Sequence, residues 1–125
     1  MSQKNFELGR ISIEAIVQKT QNMFRDRDGV GLLAGSYDDG LIRLKDVFFP
    51  LQSYDNDGKL VFSPEGKASV YITVEAQNLE VIGPVIYSEK KDFDFIVQSA
   101  QLENAVDDAA VLMHVSKDGE YRIIC

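Results

Sequence analysis

The feature that most constrains the fold is one long apolar run, Leu79–Ser88, which is rich in valine and isoleucine. A run of this length that ends in turn chemistry predicts a buried β-strand. In a domain that mixes helices and strands, the loop after such a strand is a common location for a functional site. The loop here, Glu89–Asp92, is made only of charged residues, so it indicates no particular chemistry.

Size and charge restrict the classes of function. A chain of 125 residues predicts one domain, spanning residues 1–125, with a core of modest size. The formal net charge of −7 repels phosphate backbones. The basic pair Lys90–Lys91 lies between Glu89 and Asp92, so no basic patch offsets this charge. We therefore expect no nucleic-acid partner.

The sequence also argues against membrane and metal chemistry. It has no apolar stretch long enough to span a membrane and no signal-peptide core after Met1, which predicts a cytoplasmic protein with no membrane partner. Cys125 is the only cysteine, so no internal disulfide can form. His114 is the only histidine, so a zinc site would depend almost wholly on carboxylates, which is uncommon. We expect neither a metal nor another cofactor.

The first half of the chain predicts a short strand over Phe6–Ile11 and then an amphipathic helix over Ile13–Arg25, with Ser12 as its N-cap. The turn sequence Asp38-Asp39-Gly40 predicts a hairpin between the glycine-rich strand that begins at Val30 and a strand within Leu41–Pro50. One face of the predicted helix holds Ile13, Ile16, Val17, Thr20 and Phe24.

Period-two alternation divides the side chains of the Leu41–Pro50 strand between two faces. Ile42, Leu44 and Phe48 fall on one face, and Arg43, Lys45, Val47 and Phe49 on the other. If Phe48 enters the core, Phe49 points outward. It then either forms part of a contact surface or lies beneath a neighbouring element, and the pattern does not choose between these.

The segment after Ser63 has two interpretations. Ser63-Pro64-Glu65 is typical of a helix start, with a cap residue, a proline at the first position and an acid next. The β-branched residues of Ala68–Ala76 favour a strand. We predict a helix and keep the strand as the alternative. The polar segment Ser53–Lys59 before it predicts a loop.

The last third predicts a second helix and a hairpin. Asp92 or Asp94 caps a helix over about Phe95–Val106, which carries apolar side chains on one face. The Asp118-Gly119 turn then joins a strand over Ala110–Val115 to a strand over Tyr121–Ile124.

Few residues suggest a chemistry of their own. A single strand histidine such as His114 is expected to be a packed or half-exposed ring. The Asp55–Gly58 segment lacks the glutamate that a calcium loop places at its twelfth position, where Gly66 stands. The acids Glu89, Asp92 and Asp94, with Asp28 nearby, are interpreted as a solvated loop, although paired carboxylates can perform acid–base chemistry.

The order of these elements resembles the MPN (JAB/JAMM) domain. The resemblance rests on Asp28–Gly35, on the strand that ends in Phe49-Pro50, on Phe62–Glu65 and on Leu79–Ser88, and it covers the chain from about Ile11 onward. It implies an α/β (α+β) fold in which helices flank a mixed, curved β-sheet. Metalloprotease members of this family remove ubiquitin or ubiquitin-like tags.

Position by position, the match keeps the scaffold of that family and loses its chemistry. The glycine-leucine strand is matched by Gly31, Leu32, Leu33 and Gly35, and the start of the second motif by Ile82 and Gly83. Asp28 stands where the family has its catalytic glutamate. Ile86 and Ser88 replace the two metal-binding histidines, and the third ligand falls near Ser99. The resemblance therefore implies a metal-free domain that cannot activate a water molecule in the family's manner.

Inactive MPN domains typically act as assembly modules. The resemblance thus implies a non-catalytic domain that binds another MPN domain, a ubiquitin-like protein or a second copy of itself. The predicted contact residues are Phe49, Phe95, Glu89 and Asp92. Two rival hypotheses remain. One is a metal-independent hydrolase near Asp28, Ser88 and Ser99, for which His114 is the only imidazole available as a base. The other is a small-ligand-binding domain with a closed pocket along Leu79–Tyr87.

Overall fold

A computed structural model describes residues 5–7, 10–38, 41–54, 56, 60–89 and 111–124. Within these ranges the fold is α+β, as predicted, with two helices and eight strands. No helix in the described ranges is long and apolar enough to cross a membrane. The elements are β1 (Asn5–Glu7), α1 (Arg10–Phe24), β2 (Gly29–Asp38), β3 (Leu41–Phe48), β4 (Gln52–Tyr54), β5 (Leu60–Phe62), α2 (Pro64–Ala76), β6 (Glu80–Tyr87), β7 (Leu112–Val115) and β8 (Tyr121–Ile124).

Six of these strands form one mixed, curled sheet, in the order β1-β3-β2-β6-β7-β8. The β1–β3 and β6–β7 pairs are parallel, and the other pairs are antiparallel. Strands β4 and β5 form a separate small hairpin. The predicted loop Ser53–Lys59 therefore begins too early, because Gln52–Tyr54 is paired as β4 with β5.

Helix α1 covers one face of the sheet. Every side chain of its predicted apolar face, Ile13 to Phe24, is buried. The prediction that Ser12 caps the helix is wrong, because α1 begins at Arg10 and Ser12 lies in its first turn. The preceding strand ends at Glu7, so α1 can begin at Arg10, two residues before Ser12.

Strand β3 does not keep the predicted alternation over its whole length. Ala34 of β2 pairs with Asp46 and Gly35 pairs with Leu44, so Lys45 is an extra residue on β3. Such a bulge reverses the facing of the residues after it. Val47 consequently packs in the same buried cluster as Ile42 and Leu44, and its prediction on the opposite face is wrong.

Helix α2 settles the ambiguity after Ser63 in favour of a helix. The hydroxyl of Ser63 accepts a hydrogen bond from the Gly66 N–H at 3.2 Å, and Pro64 takes the first helical position. Only Val74 of this helix is fully buried among its described side chains. Of the β-branched residues that favoured a strand, Ile72 and Thr73 are exposed, whereas Val70 and Val74 pack toward the sheet, so helical spacing places them on different faces of α2.

Strand β6 is buried as predicted and lies between β2 and β7. Pro84 is tolerated there because the ladder to β7 begins one residue later, at Val85 opposite Met113. Side chains of β6 contribute to two apolar clusters, one beneath α1 and one beneath α2. The final hairpin, β7–β8, is also confirmed. The predicted helix Phe95–Val106 lies outside the described residues.

Candidate functional site

Several polar side chains meet at one end of the sheet, where β6 and β7 end and β2 begins. This end holds Asp28 before β2, Ser88 and Glu89 after β6, and Lys117 after β7. The carboxyl ends of parallel strands meet at the same edge of a sheet, which explains why the residues after β6 and β7 are neighbours. Among the predicted site residues, the structure thus brings Asp28, Ser88 and Glu89 together.

Ser88 and His114 form a hydrogen-bonded pair, with 3.2 Å between the Ser88 Oγ and the His114 Nε2. His114 pairs with Ile86 in the β6–β7 ladder, and Ser88 follows Ile86 by two residues on the same face. The structure therefore places His114 beside Ile86 and Ser88, the two positions at which the resemblance predicted lost metal ligands. A serine oxygen near an imidazole nitrogen is the contact that a serine nucleophile requires.

This pair is buried almost completely. The exposed fractions of Ser88 and His114 are 1% and 3%. A buried hydroxyl and a buried imidazole each need a hydrogen-bond partner to offset their desolvation, and the two groups provide this for each other. The prediction of a packed ring for His114 is confirmed. A catalytic serine would additionally have to be reachable by its substrate, and Ser88 is buried in this structure.

The ammonium group of Lys117 contacts several of the polar groups at this end of the sheet. Its Nζ lies 3.5 Å from Asp28 Oδ1 and 3.8 Å from Glu89 Oε1, and it donates a hydrogen bond of 2.6 Å to the Asp26 carbonyl. The acids predicted as a solvated loop are thus partly balanced by a lysine that the sequence did not single out. Ion pairs as exposed as these contribute little to the stability of the fold. Their main effect is to offset part of the negative charge at this end of the sheet.

Tyr87 connects this end of the sheet to α1. Its hydroxyl donates a 2.5 Å hydrogen bond to the carbonyl of Arg25, and its ring stacks on Phe24 at 5.8 Å. Burial raises the pKa of Tyr87, an effect that the positive charge of Lys117 opposes. The phenol therefore stays protonated and remains a donor near neutral pH.

An open groove lies beside these residues, between the end of α1 and the segment that links β3 to β4. It has a volume of about 650 Å³. Two large apolar side chains at the groove are exposed to solvent, Met23 by 47% and Leu51 by 75%. The groove is lined by Met23, Phe24, Asp26, Arg27, Asp28, Phe49, Pro50, Leu51, Gln52 and Ser53.

Phe49, one of the predicted contact residues, forms part of the wall of this groove. It is half-buried, and its ring meets Phe24 edge-on with 5.3 Å between the ring centres. The bulge at Lys45 explains why it turns toward the core, because Phe49 follows the inward-facing Val47 by two residues. Of the two alternatives for Phe49, the structure therefore favours the one in which a neighbouring element covers the ring, here Phe24 of α1. Phe95, Asp92 and Ser99 lie outside the described residues.

Gln52, one of the residues that line the groove, hydrogen-bonds through its side chain to the backbone of β2 and of Pro50. Its Oε1 accepts a hydrogen bond from the Val30 N–H at 3.0 Å, and its Nε2 donates to the Val30 carbonyl at 2.8 Å and to the Pro50 carbonyl at 3.2 Å. On the β3 side of β2, the ladder reaches only as far as Leu32 opposite Phe48. Gln52 thus satisfies the two backbone groups of Val30 that β3 does not reach.

Two smaller cavities bear on the small-ligand hypothesis. A cleft of about 190 Å³ between α2 and β6 touches only the first residues of the apolar run, Leu79 to Val81. A second cavity of about 260 Å³ includes His114 and residues of β8. Neither is a closed pocket along Leu79–Tyr87. Within the described ranges, no cluster of three or more metal-binding side chains occurs.

Comparison with models of known protein families gives no match, and comparison with curated proteins gives none either.

Proposed function

We propose that this chain is a non-catalytic, protein-binding domain of MPN-like architecture, and that the groove at the end of α1 is its binding surface. The observation that carries this proposal is the exposure of Leu51 and Met23 beside a large, mainly apolar groove. Exposed apolar side chains grouped around a concavity are typical of protein contact sites, in which a few well-packed anchors provide most of the binding energy.

The positions that carry catalysis in the family support a non-catalytic role. Ile86 is buried in an apolar cluster with Val30 and Leu32 beneath α2, and Ser88 is engaged with His114. Asp28 faces Lys117, whose ammonium group supplies positive charge next to the carboxylate. None of these contacts prepares a water molecule for attack on a peptide bond.

The chemistry of the groove defines its ligand. Phe24, Phe49 and Pro50 provide apolar walls, and Asp26 and Arg27 provide charges of both signs. We therefore propose a protein segment that inserts a large apolar side chain between the walls and carries charged residues beside it. Such rim charges orient a partner and raise its rate of association.

We expect substitution of Leu51 to weaken this binding strongly. Peptides that bind the chain would be selected from a random displayed library and measured by fluorescence anisotropy against three proteins: wild type, Leu51→Glu and Ile72→Glu. Ile72 is the matched control, because it is 68% exposed on α2 and does not line the groove. Loss of an anchor predicts about tenfold or greater weakening for Leu51→Glu and unchanged binding for Ile72→Glu. Selected peptides that bind all three proteins equally would contradict the proposal.

A metal-independent hydrolase is the second candidate, favoured by the 3.2 Å contact between Ser88 and His114. It ranks second because both residues are buried. A fluorophosphonate probe followed by mass spectrometry separates the two functions. The protein-binding proposal predicts no label on Ser88 in the native protein. Label on Ser88 that disappears in His114→Asn, while Ser116→Ala keeps it, would establish the hydrolase instead.

A further inference from the structure

We infer that the protein segment bound by this groove is basic and carries lysine or arginine next to its large apolar side chain. This inference rests on the proposed function, since it names the charge of the segment that the groove binds. Such a segment meets opposite charge on three scales: at a single carboxylate, across the groove and over the whole chain.

The charged side chains that line the groove are mostly acidic. They are Asp26, Arg27 and Asp28, two acids and one base, and they give the lining a formal charge of −1. All three residues are exposed, so they lie within reach of a ligand that is seated against the apolar walls. The two acids attract a cationic side chain on that ligand and repel an anionic one.

The carboxylate of Asp26 meets the cation of the ligand. Among the described residues it makes no hydrogen bond or ion pair, whereas the backbone carbonyl of Asp26 accepts a hydrogen bond from Lys117. The carboxylate of Asp28 differs, because it lies 3.5 Å from the Lys117 ammonium group. That ammonium group is also 3.8 Å from Glu89, so its single charge is shared between two acids and leaves Asp26 without an ion-pair partner.

The charge of the whole chain acts in the same direction. At a net charge of −7, the field around the protein attracts cationic segments and raises their rate of encounter with its surface. The apolar walls at Phe24, Phe49 and Leu51 then retain those segments that also carry a large apolar side chain. Tight binding therefore requires both features in one segment.

Three synthetic peptide mixtures test this inference by fluorescence anisotropy. Each mixture has a central leucine, phenylalanine or tryptophan, and its flanking positions combine glycine and serine with lysine, glutamine or glutamate. We expect wild type to bind the lysine mixture about tenfold or more tightly than the glutamate mixture at low salt, with the glutamine mixture between them. Raising the salt concentration from about 50 to about 500 mM should reduce this difference, because exposed charges are screened.

Substitutions in the lining locate the contact. Asp26→Asn should weaken binding of the lysine mixture about threefold and leave binding of the glutamine mixture unchanged. Glu75→Gln is the matched control, because it also removes one negative charge, but from an exposed position on α2 that does not line the groove. It should leave the preference for lysine unchanged. Arg27→Gln should strengthen binding of the lysine mixture, because it removes the positive charge from the lining.

Three results would overturn the inference: a lysine mixture that does not bind, three mixtures that bind equally, and an Asp26→Asn protein that prefers lysine as strongly as wild type. The Leu51→Glu variant keeps this failure distinct from failure of the proposed function. Equal binding of the three mixtures that Leu51→Glu weakens would retain the groove as a protein-binding site without a preference for charge. Equal binding that Leu51→Glu does not affect would contradict both.

Discussion

Gly83→Ala is expected to lower the free energy of unfolding by more than about 3 kcal/mol, a large share of the stability of a domain of this size. A Cβ atom at Gly83 would lie 1.7 Å from the carbonyl oxygen of Val111 and 2.8 Å from its carbonyl carbon. Both are backbone atoms, so no side-chain rotation can relieve the overlap. Val111 immediately precedes β7, and β7 would have to move away from β6.

Gly31→Ala provides the matched control for this prediction. Gly31 is also in a central strand, β2, but its added Cβ would meet the ring of Phe49 at 2.9 Å and the side chain of Val47 at 3.1 Å. Side chains can shift, so we expect a loss of about 1 to 2 kcal/mol, in the range of ordinary overpacking. Urea unfolding followed by circular dichroism gives both values. A Gly83→Ala protein that is as stable as Gly31→Ala would show that β7 does not approach β6 as closely as described.

Local signals in the sequence predict much of this fold. The valine- and isoleucine-rich run becomes β6, and the cap chemistry of Ser63 and Pro64 begins α2. The turn at Asp118-Gly119 joins β7 to β8. Gly119 has φ +90°, a backbone conformation that glycine adopts without strain. In each case the deciding interaction lies within a few residues of the signal, so it can be found without knowledge of the tertiary structure.

Predictions that depend on neighbouring strands fail where pairing becomes irregular. The extra residue Lys45 in β3 is visible only when β3 is aligned with β2, and it reverses the facing of Val47 and Phe49. Ser12 fails for a different reason. A serine can cap a helix or lie within its first turn, and the sequence near it does not say where the helix begins.

The candidate site shows the same limit. The sequence identifies Ser88 and His114 and predicts a strand next to each, but not that these strands are parallel neighbours in the register that joins the two side chains. Asp28 and Glu89 are predicted as nearby acids, whereas Lys117, which pairs with both, has no sequence signal. The groove could not be predicted from the sequence either, because its walls come from two segments that are distant in the chain, the end of α1 and the segment between β3 and β4.

Gln52→Leu is expected to lower the free energy of unfolding by about 2 to 4 kcal/mol. Leucine has a similar size but cannot make the two hydrogen bonds to Val30. Because Val30 is only 1% exposed, its backbone N–H and carbonyl would each lose a hydrogen-bond partner in a buried position. Gln77→Leu is the control, because Gln77 is exposed at the end of α2 and such a change should alter stability by less than about 0.5 kcal/mol.

Amide hydrogen exchange gives a local test, since exchange at Val30 should accelerate in Gln52→Leu more than at Leu32, which β3 still pairs. Equal unfolding energies for the two variants, with unchanged protection of Val30, would mean that the hydrogen bonds from Gln52 do not stabilise the part of β2 that β3 leaves unpaired.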